Sequence, residues 1–329
     1  MPDLPAISVA MSVYNNDRWL AEAIESIVAQ SFGDFECLIV NDGSTDDSGA
    51  IIDDFAARDP RIRAIHQENR GLVASLNRLI AEARAPLIAR MDGDDIALPE
   101  RFARQVAFLS ANPDHGVVGT CTDDLDEAGR IKRNIDHHPL THAAFLDALE
   151  TGPLLCHSSV LMRTDVVRAA GGYRRAFRHC EDYDLWLRLA NRTRLCSLPD
   201  RLLRYRRSDS QVSSAHAVEQ QVGAAVSFVA YEERAAGRPD PTALLERLPP
   251  VHELDALFGR PGVARAVRAK VAPAIVYSVE GLRAEGFGLL IDHVREGGSK
   301  AGLWRTAGRL VKLGEPARAA RLAAALAVS

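Results

Sequence analysis

Residues 86–102 read PLIARMDGDDIALPERF, and this stretch decides the fold. Its first four residues are apolar and predict part of a buried strand. Three carboxylates, Asp92, Asp94 and Asp95, crowd around one glycine directly after that strand. Carboxylates this close repel one another unless a cation or ordered donors compensate their charge. The stretch is therefore either a solvated Asp/Gly turn with a helix cap or a place where carboxylates share a cation.

Strands and helices alternate along the chain that leads to this stretch. The predicted strands are 7–12, 35–40, 63–66 and 86–91, and the predicted helices are 19–30, 48–58 and 71–83. This alternation predicts an α/β fold with a mostly parallel, doubly wound sheet. Such sheets bind ligands outside the carboxyl ends of their strands. Polar residues follow three of the strands, at Tyr14-Asn15, Asn41-Asp42 and Asp92–Asp95, so we expect them to form one site.

The pattern changes after Pro99. We predict helices at 100–109, 165–170 and 181–191, strands at 115–122 and 158–162, and a turn at 123–130 that leads into a further strand. From about residue 213 the chain is rich in Ala, Arg and Leu and reads as helices separated by prolines. We therefore expect a helical C-terminal region after a boundary near 210–215.

The composition is that of a protein with a substantial core. The chain has 329 residues, of which 47% are hydrophobic and 26% charged, and its net charge is −4 with both signs interspersed. A nucleic-acid binder would show a basic face, so we do not expect this protein to bind nucleic acid. Five cysteines without a CxxC pair argue against a disulfide framework or a zinc site. Neither a signal peptide nor an apolar run of about 20 residues is evident, so we expect a cytoplasmic protein.

Other residues carry chemistry only in combination. Asp42 follows a strand in NDGSTDDS, which is also an ordinary turn sequence. Glu181 and Asp182 are in the first turn of a predicted amphipathic helix. Either they are there because the helix macrodipole stabilises acidic residues at this end, or one of them acts as a general base. His157 precedes an apolar run and is either a structural hydrogen bonder or part of a site. Motifs of the forms GxxxxGK[ST], GxGxxG after the first strand and GxSxG are absent.

Four ordered stretches together resemble the family 2 glycosyltransferases, which have the GT-A fold. They read ISVAMSVYNNDRWLAEAIESIVAQSFGDFECLIVNDGSTDDS, ENRGLVASLNRLIAEARAPLIARMDGDDIALPERF, HSSVLMRTDVVRAAGGYRRAFRHCEDYDLWLRLA and YRRSDSQVS. The resemblance spans roughly residues 5–215 and leaves the last third of the chain uncovered. It implies a GT-A domain at 1–212, with a nucleotide-sugar part at 1–98 and an acceptor and catalytic part at 99–212, followed by a helical region at 213–329.

The resemblance also implies roles for individual residues. Asp92-Gly93-Asp94 matches the DxD motif, in which Asp94 coordinates Mn²⁺ or Mg²⁺ and Asp92 approaches the ribose or the metal. Asp182 matches the catalytic base. The residues expected to contact the nucleotide sugar are Ser12, Val13, Tyr14, Asn15, Asp42, Asn69, Arg70, Asp92 and Gly93. Those expected to border the acceptor and diphosphate are His157, Glu181 and Arg206.

The implied reaction is an inverting transfer of a sugar from a nucleotide-sugar donor, with UDP as the expected nucleotide. The acceptor would be a sugar, lipid-linked or protein hydroxyl, in the synthesis of surface polysaccharide, lipopolysaccharide or another glycoconjugate. One alternative is a nucleotidyltransferase, although VYNND stands where that class has a Gly-rich, basic loop. The other is an inactive GT-A-like module that binds partners through its helical C-terminus.

The C-terminal helices leave two interpretations open. Residues 302–326 read GLWRTAGRLVKLGEPARAARLAAAL and combine Arg and Lys with apolar side chains. A basic amphipathic helix of this kind binds membrane surfaces, which would place the protein at the inner face of the membrane. Alternatively, these helices form a cap that packs on the catalytic domain or on a second subunit in a homo-oligomer.

Overall fold

The computed structural model describes residues 4–132, 138–152, 154–207, 216–284 and 286–328. It contains two compact units. The first comprises Met1–Arg174 and Leu185–Ser208, and the second comprises Arg175–Asp184 and Asp209–Ser329. The domain boundary expected at 212–213 lies outside the described residues.

A nine-stranded sheet forms the centre of the first unit. Its strands are β1 (Ile7–Val13), β2 (Phe35–Asp42), β3 (Ile62–Gln67), β4 (Leu87–Asp92), β5 (Ile96–Ala97), β6 (His115–Leu125), β7 (Ile131–Lys132), β8 (Leu161–Arg163) and β9 (Arg194–Arg206). Their order is β3-β2-β1-β4-β8-β6-β9-β5, and β7 pairs with β6. The first four strands in this order run parallel, and β8 then pairs antiparallel with both β4 and β6. The predicted mostly parallel α/β sheet is confirmed.

The parallel strands form because both of their faces are covered. All eight residues of β2 are buried, and in β1 every residue but Ser12 is buried. Strands buried on two faces read as continuous apolar runs, which is why the sequence reveals them. Each fully buried aliphatic side chain contributes about 1.5–3 kcal/mol to the free energy of unfolding.

Helices lie between the strands of the first unit. They are α1 (Asp17–Val28), α2 (Ser48–Arg58), α3 (Leu72–Glu82), α4 (Arg101–Ala111), α5 (His142–Asp147) and α6 (Thr164–Ala169). In α1, Leu20, Ala23, Ile24 and Ile27 are buried, which is the three-and-four spacing of one helix face. A further helix, α7 (Glu181–Leu189), has its first four residues in the second unit and its last five in the first.

The structure corrects two predicted elements and contains a long strand that was not predicted. Residues predicted as a strand at 158–162 instead form a 3₁₀ turn at His157–Ser159, followed by β8. Strand β6 extends to Leu125, beyond the predicted end at residue 122, because its last residues pair with β7 and β9. Strand β9 was not predicted, because Pro199 lies inside it and proline is rare within sheets. A shift in register after Leu198 leaves Pro199 outside the ladder with β6.

The second unit is helical apart from its connections, as predicted for the C-terminal region. Its helices beyond α7 are α8 (Ala217–Ala235), α9 (Leu254–Leu257), α10 (Val263–Tyr277), α11 (Val279–Arg283), α12 (Gly286–Arg295), α13 (Leu303–Lys312) and α14 (Pro316–Val328). One apolar core joins them, and its fully buried members include Val226, Ile275 and Leu322.

Helix α13 shows how the basic amphipathic segment is used. Its Leu303, Ala307 and Leu310 are buried in the core of the second unit, whereas Trp304 and Val311 are exposed. Most of its apolar face therefore packs against neighbouring helices of the same unit. Within the described ranges, no helix combines the length and the apolar character needed to span a bilayer.

Candidate active site

The candidate site lies at the carboxyl ends of three adjacent parallel strands. Strand β1 is flanked by β2 and β4, so that Val13 pairs with Asn41 and Ser12 pairs with Asp92. These pairings bring together the three polar clusters that follow the strands. The sheet topology therefore forms one polar edge from segments far apart in sequence.

Asp42 organises the loop that follows β3. It is 2% exposed. Its Oδ1 accepts hydrogen bonds from Gln67 Nε2 at 2.7 Å and from the N–H of Arg70 at 2.9 Å. Its Oδ2 accepts one from the N–H of Gly71 at 2.9 Å. Arg70 is thus brought to Asp42 through its backbone, and the carboxylate fixes the segment that also carries Asn69.

Gly43 permits the close approach of that segment. Its φ of +75° lies in the left-handed region, and a Cβ on it would lie 2.7 Å from the backbone nitrogen of Asn69. A side chain would therefore meet both backbone strain and a rigid neighbour. The turn after β2 and the loop after β3 fit together only with glycine at this position.

Asn15 links the end of β1 to the turn after β2. Its φ is +47°, which asparagine tolerates better than most residues. Its N–H donates to Ser44 Oγ at 3.0 Å, and its Oδ1 accepts from the N–H of Thr45 at 2.8 Å. The neighbouring Tyr14 is 53% exposed, whereas Val13 is 1% exposed. Val13 can therefore offer a ligand only its backbone, while the Tyr14 ring is open to solvent.

The three carboxylates after β4 have unequal surroundings. The Asp92 side chain is 31% exposed, Asp94 is partly buried, and Asp95 is 1% exposed. Burial, followed by the charge of Asp92, raises the pKa of Asp94 to about 6. Burial and the charges of Asp94 and Asp92 raise the pKa of Asp95 well above its usual range. The cluster thus favours any added positive charge.

Gly93, between the first two carboxylates, packs against α1. A Cβ on it would lie 2.9 Å from Asn16 Nδ2 and 3.3 Å from Leu20 Cδ1. Both neighbours are side-chain atoms. The backbone between Asp92 and Asp94 consequently lies directly on the start of α1.

Arg90 is a member of the site that the sequence analysis did not identify. It is 1% exposed, and its guanidinium forms an ion pair with the Asp92 carboxylate. Burial opposes its charge, but the Asp92 carboxylate leaves the pKa of Arg90 above its ordinary value. Among the described residues, its Nε and Nη1 atoms meet no hydrogen-bond partner. The available signal was a charged residue in an apolar strand, two positions before Asp92 and therefore on the same face.

Arg206 supports the carboxylate turn from β9. Its side chain is 2% exposed, and its Nη2 contacts Glu22 Oε2 at 2.8 Å. Its Nε donates to the carbonyl of Asp94 at 2.8 Å, and its N–H donates to Asp95 Oδ1 at 2.9 Å. The structure therefore places Arg206 as a buried brace of the turn. The rest of the stretch that resembled a diphosphate-binding region, residues 208–214, lies outside the described residues.

His157 and Ser158 approach the same turn from their 3₁₀ segment. Ser158 Oγ accepts the N–H of Asp92 at 2.9 Å. His157 Nε2 lies 2.7 Å from the hydroxyl of Tyr173, and its ring stacks edge-on to Trp186 at 6.1 Å. Burial, followed by the charge of Arg90, lowers the pKa of His157 well below its usual range. His157 is therefore a neutral hydrogen-bonding residue near neutral pH.

The donor set of the carboxylate turn fits a hard divalent cation. Asp92 and Asp94 offer only oxygen ligands, and Mg²⁺ and Mn²⁺ bind through one or two carboxylates together with phosphate oxygens and water. Burial and the charge of Asp92 raise the pKa of Asp94 in spite of Arg90 and Arg206 nearby. A divalent cation would supply the missing charge.

Glu181 and Asp182 occupy the first turn of α7. Asp182 Oδ1 accepts the N–H of Tyr183 at 2.7 Å, and Glu181 is 7% exposed. Both belong to the segment Arg175–Asp184, which groups with the second unit. The structure thus joins the strand-end residues within the first unit, and it assigns these two acidic residues to the second.

Similar proteins identify the family. The model of "Glycosyl transferase family 2" matches residues 8–171. The O-antigen biosynthesis glycosyltransferase WbnJ of Escherichia coli is 31% identical over 207 residues, which are 62% of this chain and 80% of WbnJ. The glycosyltransferase EpsE of Bacillus subtilis is 40% identical over 188 residues, which are 56% of this chain and 66% of EpsE.

Two solved structures show the same fold. TarS of S. aureus in complex with UDP superposes with a TM-score of 0.57 and 16% identity, over 97% of this chain and 87% of TarS. A mannosyltransferase of Pyrobaculum calidifontis in complex with GDP-Man and Mn²⁺ superposes with a TM-score of 0.52 and 18% identity, over 99% of this chain and 88% of that one. The chain is a family 2 glycosyltransferase with the GT-A fold.

Proposed function

We propose that this glycosyltransferase moves a sugar from a UDP-sugar donor to an acceptor hydroxyl, with inversion at the anomeric carbon and with a divalent cation. The observation that carries the proposal is the strand pairing that sets Asp42 and the Asp92–Asp95 turn at the ends of strands on either side of β1. A nucleoside bound at one strand end would extend its diphosphate toward the carboxylate turn at the other.

The nucleoside would bind between the ends of β1 and β2. Asp42 and the loop it fixes form one wall, and Ser12, Val13, Tyr14 and Asn15 form the other. UDP is bound by TarS and GDP-Man by the Pyrobaculum mannosyltransferase, so the fold accepts both bases. Uridine is our choice for this chain, and Asn69 and Arg70 would lie beside the nucleotide.

Asp94, with help from Asp92, would hold the Mn²⁺ or Mg²⁺ ion. When bound, the ion would stabilise the charge that develops on the leaving diphosphate. The protein's own residues prepare this position. Arg90 forms an ion pair with the Asp92 carboxylate, Arg206 donates to the carbonyl of Asp94, and Ser158 accepts the N–H of Asp92. Three elements thus hold one short turn.

Asp182 would be the catalytic base. The acceptor oxygen forms a bond to the anomeric carbon as the bond from that carbon to the diphosphate oxygen breaks. The acceptor hydroxyl gives its proton to the Asp182 carboxylate, and the nucleoside diphosphate leaves with the bonding electron pair. A single displacement of this kind inverts the anomeric centre, and a positioned base contributes about 10²–10⁴ to its rate.

The proposed biological role is polysaccharide assembly. WbnJ is described as an enzyme of O-antigen biosynthesis. A sugar hydroxyl on a growing or lipid-linked chain is the acceptor that fits this role. The His157, Glu181 and Arg206 positions are those we propose for the acceptor and diphosphate side.

A screen of nucleotide sugars by thermal shift, with and without Mn²⁺, tests the donor assignment. We expect UDP and one or more UDP-sugars to raise the melting temperature in the presence of Mn²⁺, while GDP- and ADP-sugars do not. Slow hydrolysis of the stabilising donor would then exclude an inactive binding module. A melting temperature that responds only to GDP-sugars would overturn the choice of uridine.

A further inference from the structure

A cluster of two histidines and one glutamate in the second unit is distinct in sequence from the carboxylate turn. Its members are His179, just before α7, and His216 and Glu219 at the start of α8. Each offers one ligand atom, and the three atoms lie within 4.8 Å of one another. His179 Nε2 is 3.6 Å and His216 Nδ1 is 3.7 Å from Glu219 Oε2.

His179 carries the strongest indication that a ligand is expected here. Its side chain is 10% exposed, and its Nε2 atom is buried without a hydrogen-bond partner among the described residues. The Glu219 oxygen at 3.6 Å is beyond hydrogen-bonding distance. A buried nitrogen without a hydrogen-bond partner lowers the stability of the folded protein. A metal ion placed between this nitrogen and the Glu219 carboxylate would give it a partner.

The backbone around His179 is held in position. Its φ is +68°, and its carbonyl accepts a hydrogen bond from Gln220 Nε2 at 2.9 Å. Gln220 is the residue that follows Glu219 on α8. The loop that presents His179 is therefore already tied to the helix that presents the other two ligands.

The orientation of the two imidazole rings decides how an ion can bind. The two imidazole rings are stacked at 4.1 Å with an interplanar angle of 7°. Because ring lone pairs lie in the ring plane, binding requires His216 to turn out of the stack, which its 43% exposure permits.

We propose that His179, His216 and Glu219 form a Zn²⁺ site that links the residues before α7 to the first turn of α8. Two imidazoles and one carboxylate are a usual protein ligand set for Zn²⁺, whose fourth position is then open. Ligand atoms of a tetrahedral zinc are about 3.3 Å apart, given Zn–N and Zn–O bonds of about 2.0–2.1 Å. The separation between His179 Nε2 and Glu219 Oε2 exceeds that spacing by a few tenths of an ångström, and the rotation of His216 would bring in the third ligand atom.

The site has a route for the ion and a consequence for its neighbours. His216 and Glu219 line an open cavity of about 1440 Å³ in the second unit, so that Zn²⁺ can enter from solvent. His179 is two residues before Glu181 and three before Asp182. A bound ion would therefore restrain the start of the helix that carries both acidic residues.

Zinc binding by the untagged full-length protein tests this inference. After dialysis against a chelator, the wild type should take one equivalent of Zn²⁺ in competition with a chromophoric chelator. It should also give visible d–d bands of four-coordinate Co²⁺. We expect His216→Ala and Glu219→Gln to lose this equivalent, and the wild type alone to gain melting temperature with Zn²⁺. His179→Asn is preferable to alanine, because asparagine tolerates the left-handed backbone.

Two controls separate this site from other metal binding. His252→Asn alters an exposed histidine 3.7 Å from Glu253 in the same unit, and it should retain the zinc equivalent. Asp94→Asn should retain it as well, because the proposed donor site shares no residue with this cluster. Zinc binding that is unchanged in both His216→Ala and Glu219→Gln, or absent from a folded wild type, would overturn the proposal.

Discussion

The guanidinium of Arg90 forms an ion pair with the carboxylate of Asp92, two residues further along the same strand. Arg90 is 1% exposed, whereas the Asp92 side chain is 31% exposed. One charge of the pair is thus buried in the sheet and the other faces the candidate metal position. This relationship makes Arg90 a positioning residue for the carboxylate turn.

Replacing Arg90 tests that relationship through stability. Arg90→Met leaves Asp92 and its neighbours without their buried counter-charge, and we expect a loss of about 2–4 kcal/mol in the free energy of unfolding. Asp92→Asn in the same background should restore part of this loss, with a coupling of at least about 1 kcal/mol in a double-mutant cycle. Urea denaturation of the wild type, the two single variants and the double variant measures this coupling energy. Strictly additive effects would show that the pair does not interact.

The substitution Asp94→Asn should raise stability and lower activity. Burial raises the pKa of Asp94 to about 6, so Asp94 is ionised at pH 7.5, and without metal this buried charge lowers the free energy of unfolding. Asp94→Asn should therefore raise the unfolding free energy in chelator by about 1–2 kcal/mol. The same change should lower Mn²⁺-dependent transfer by roughly 100-fold or more.

Asp54→Asn is the matched control for Asp94. Asp54 lies on the exposed face of α2, where it pairs with Arg58. Its replacement should change stability by no more than about 0.5 kcal/mol and leave transfer intact. Full transfer by Asp94→Asn, or full transfer by the wild type in EDTA, would remove Asp94 from the metal-ligand role.

Asp182→Asn should separate chemistry from donor binding. We expect transfer to fall by about 10²–10⁴, while the dissociation constant for the donor changes little. Asp165→Asn is a close control, since each carboxylate accepts the N–H of the next residue in the first turn of a helix. Single-turnover kinetics and donor titration give the two quantities. A variant with wild-type transfer would disprove the base assignment.

The lowered pKa of His157 predicts that the free energy of unfolding depends on pH. Its pKa is lowered in the folded state, so the unfolded chain binds a proton first as the pH falls below about 6.5. The unfolding free energy of the wild type should therefore fall with decreasing pH, by up to about 1.4 kcal/mol per pH unit from this residue. His157→Gln, which can still bond to Tyr173, should lack that contribution. Denaturation at pH 7.5, 6.5 and 5.5 compares the two, and equal slopes would contradict the assignment.

The first half of the sheet was predictable because its central strands β1 and β2 are covered on both faces. The runs ISVAMS and FECLIV are typical of central strands in a parallel sheet, whose carboxyl ends meet at one edge. The clustering of Asn15, Asp42 and Asp92 followed from that topology. Sequence alone was sufficient there because local pattern and tertiary position agree.

The second half of the sheet is formed by contacts that leave little recognisable pattern in the sequence. Strand β9 contains four arginines and Pro199, and it pairs with β6 through an irregular register. Arg90 and Arg206 are buried charges whose partners lie on the same strand or more than one hundred residues away. Hydrophobic periodicity carries no information on such ion pairs. They could be found only from the three-dimensional structure.

The two glycines at the site differ in how much sequence variation they allow. At Gly43, both a left-handed backbone and the fixed nitrogen of Asn69 reject any side chain. At Gly93, the nearest atoms to an added methyl group are side-chain atoms of Asn16, Leu20 and Val13. A small shift of the Asn16 amide would accommodate alanine between the two aspartates. A saturation library should therefore return glycine alone at residue 43, but both glycine and alanine at residue 93.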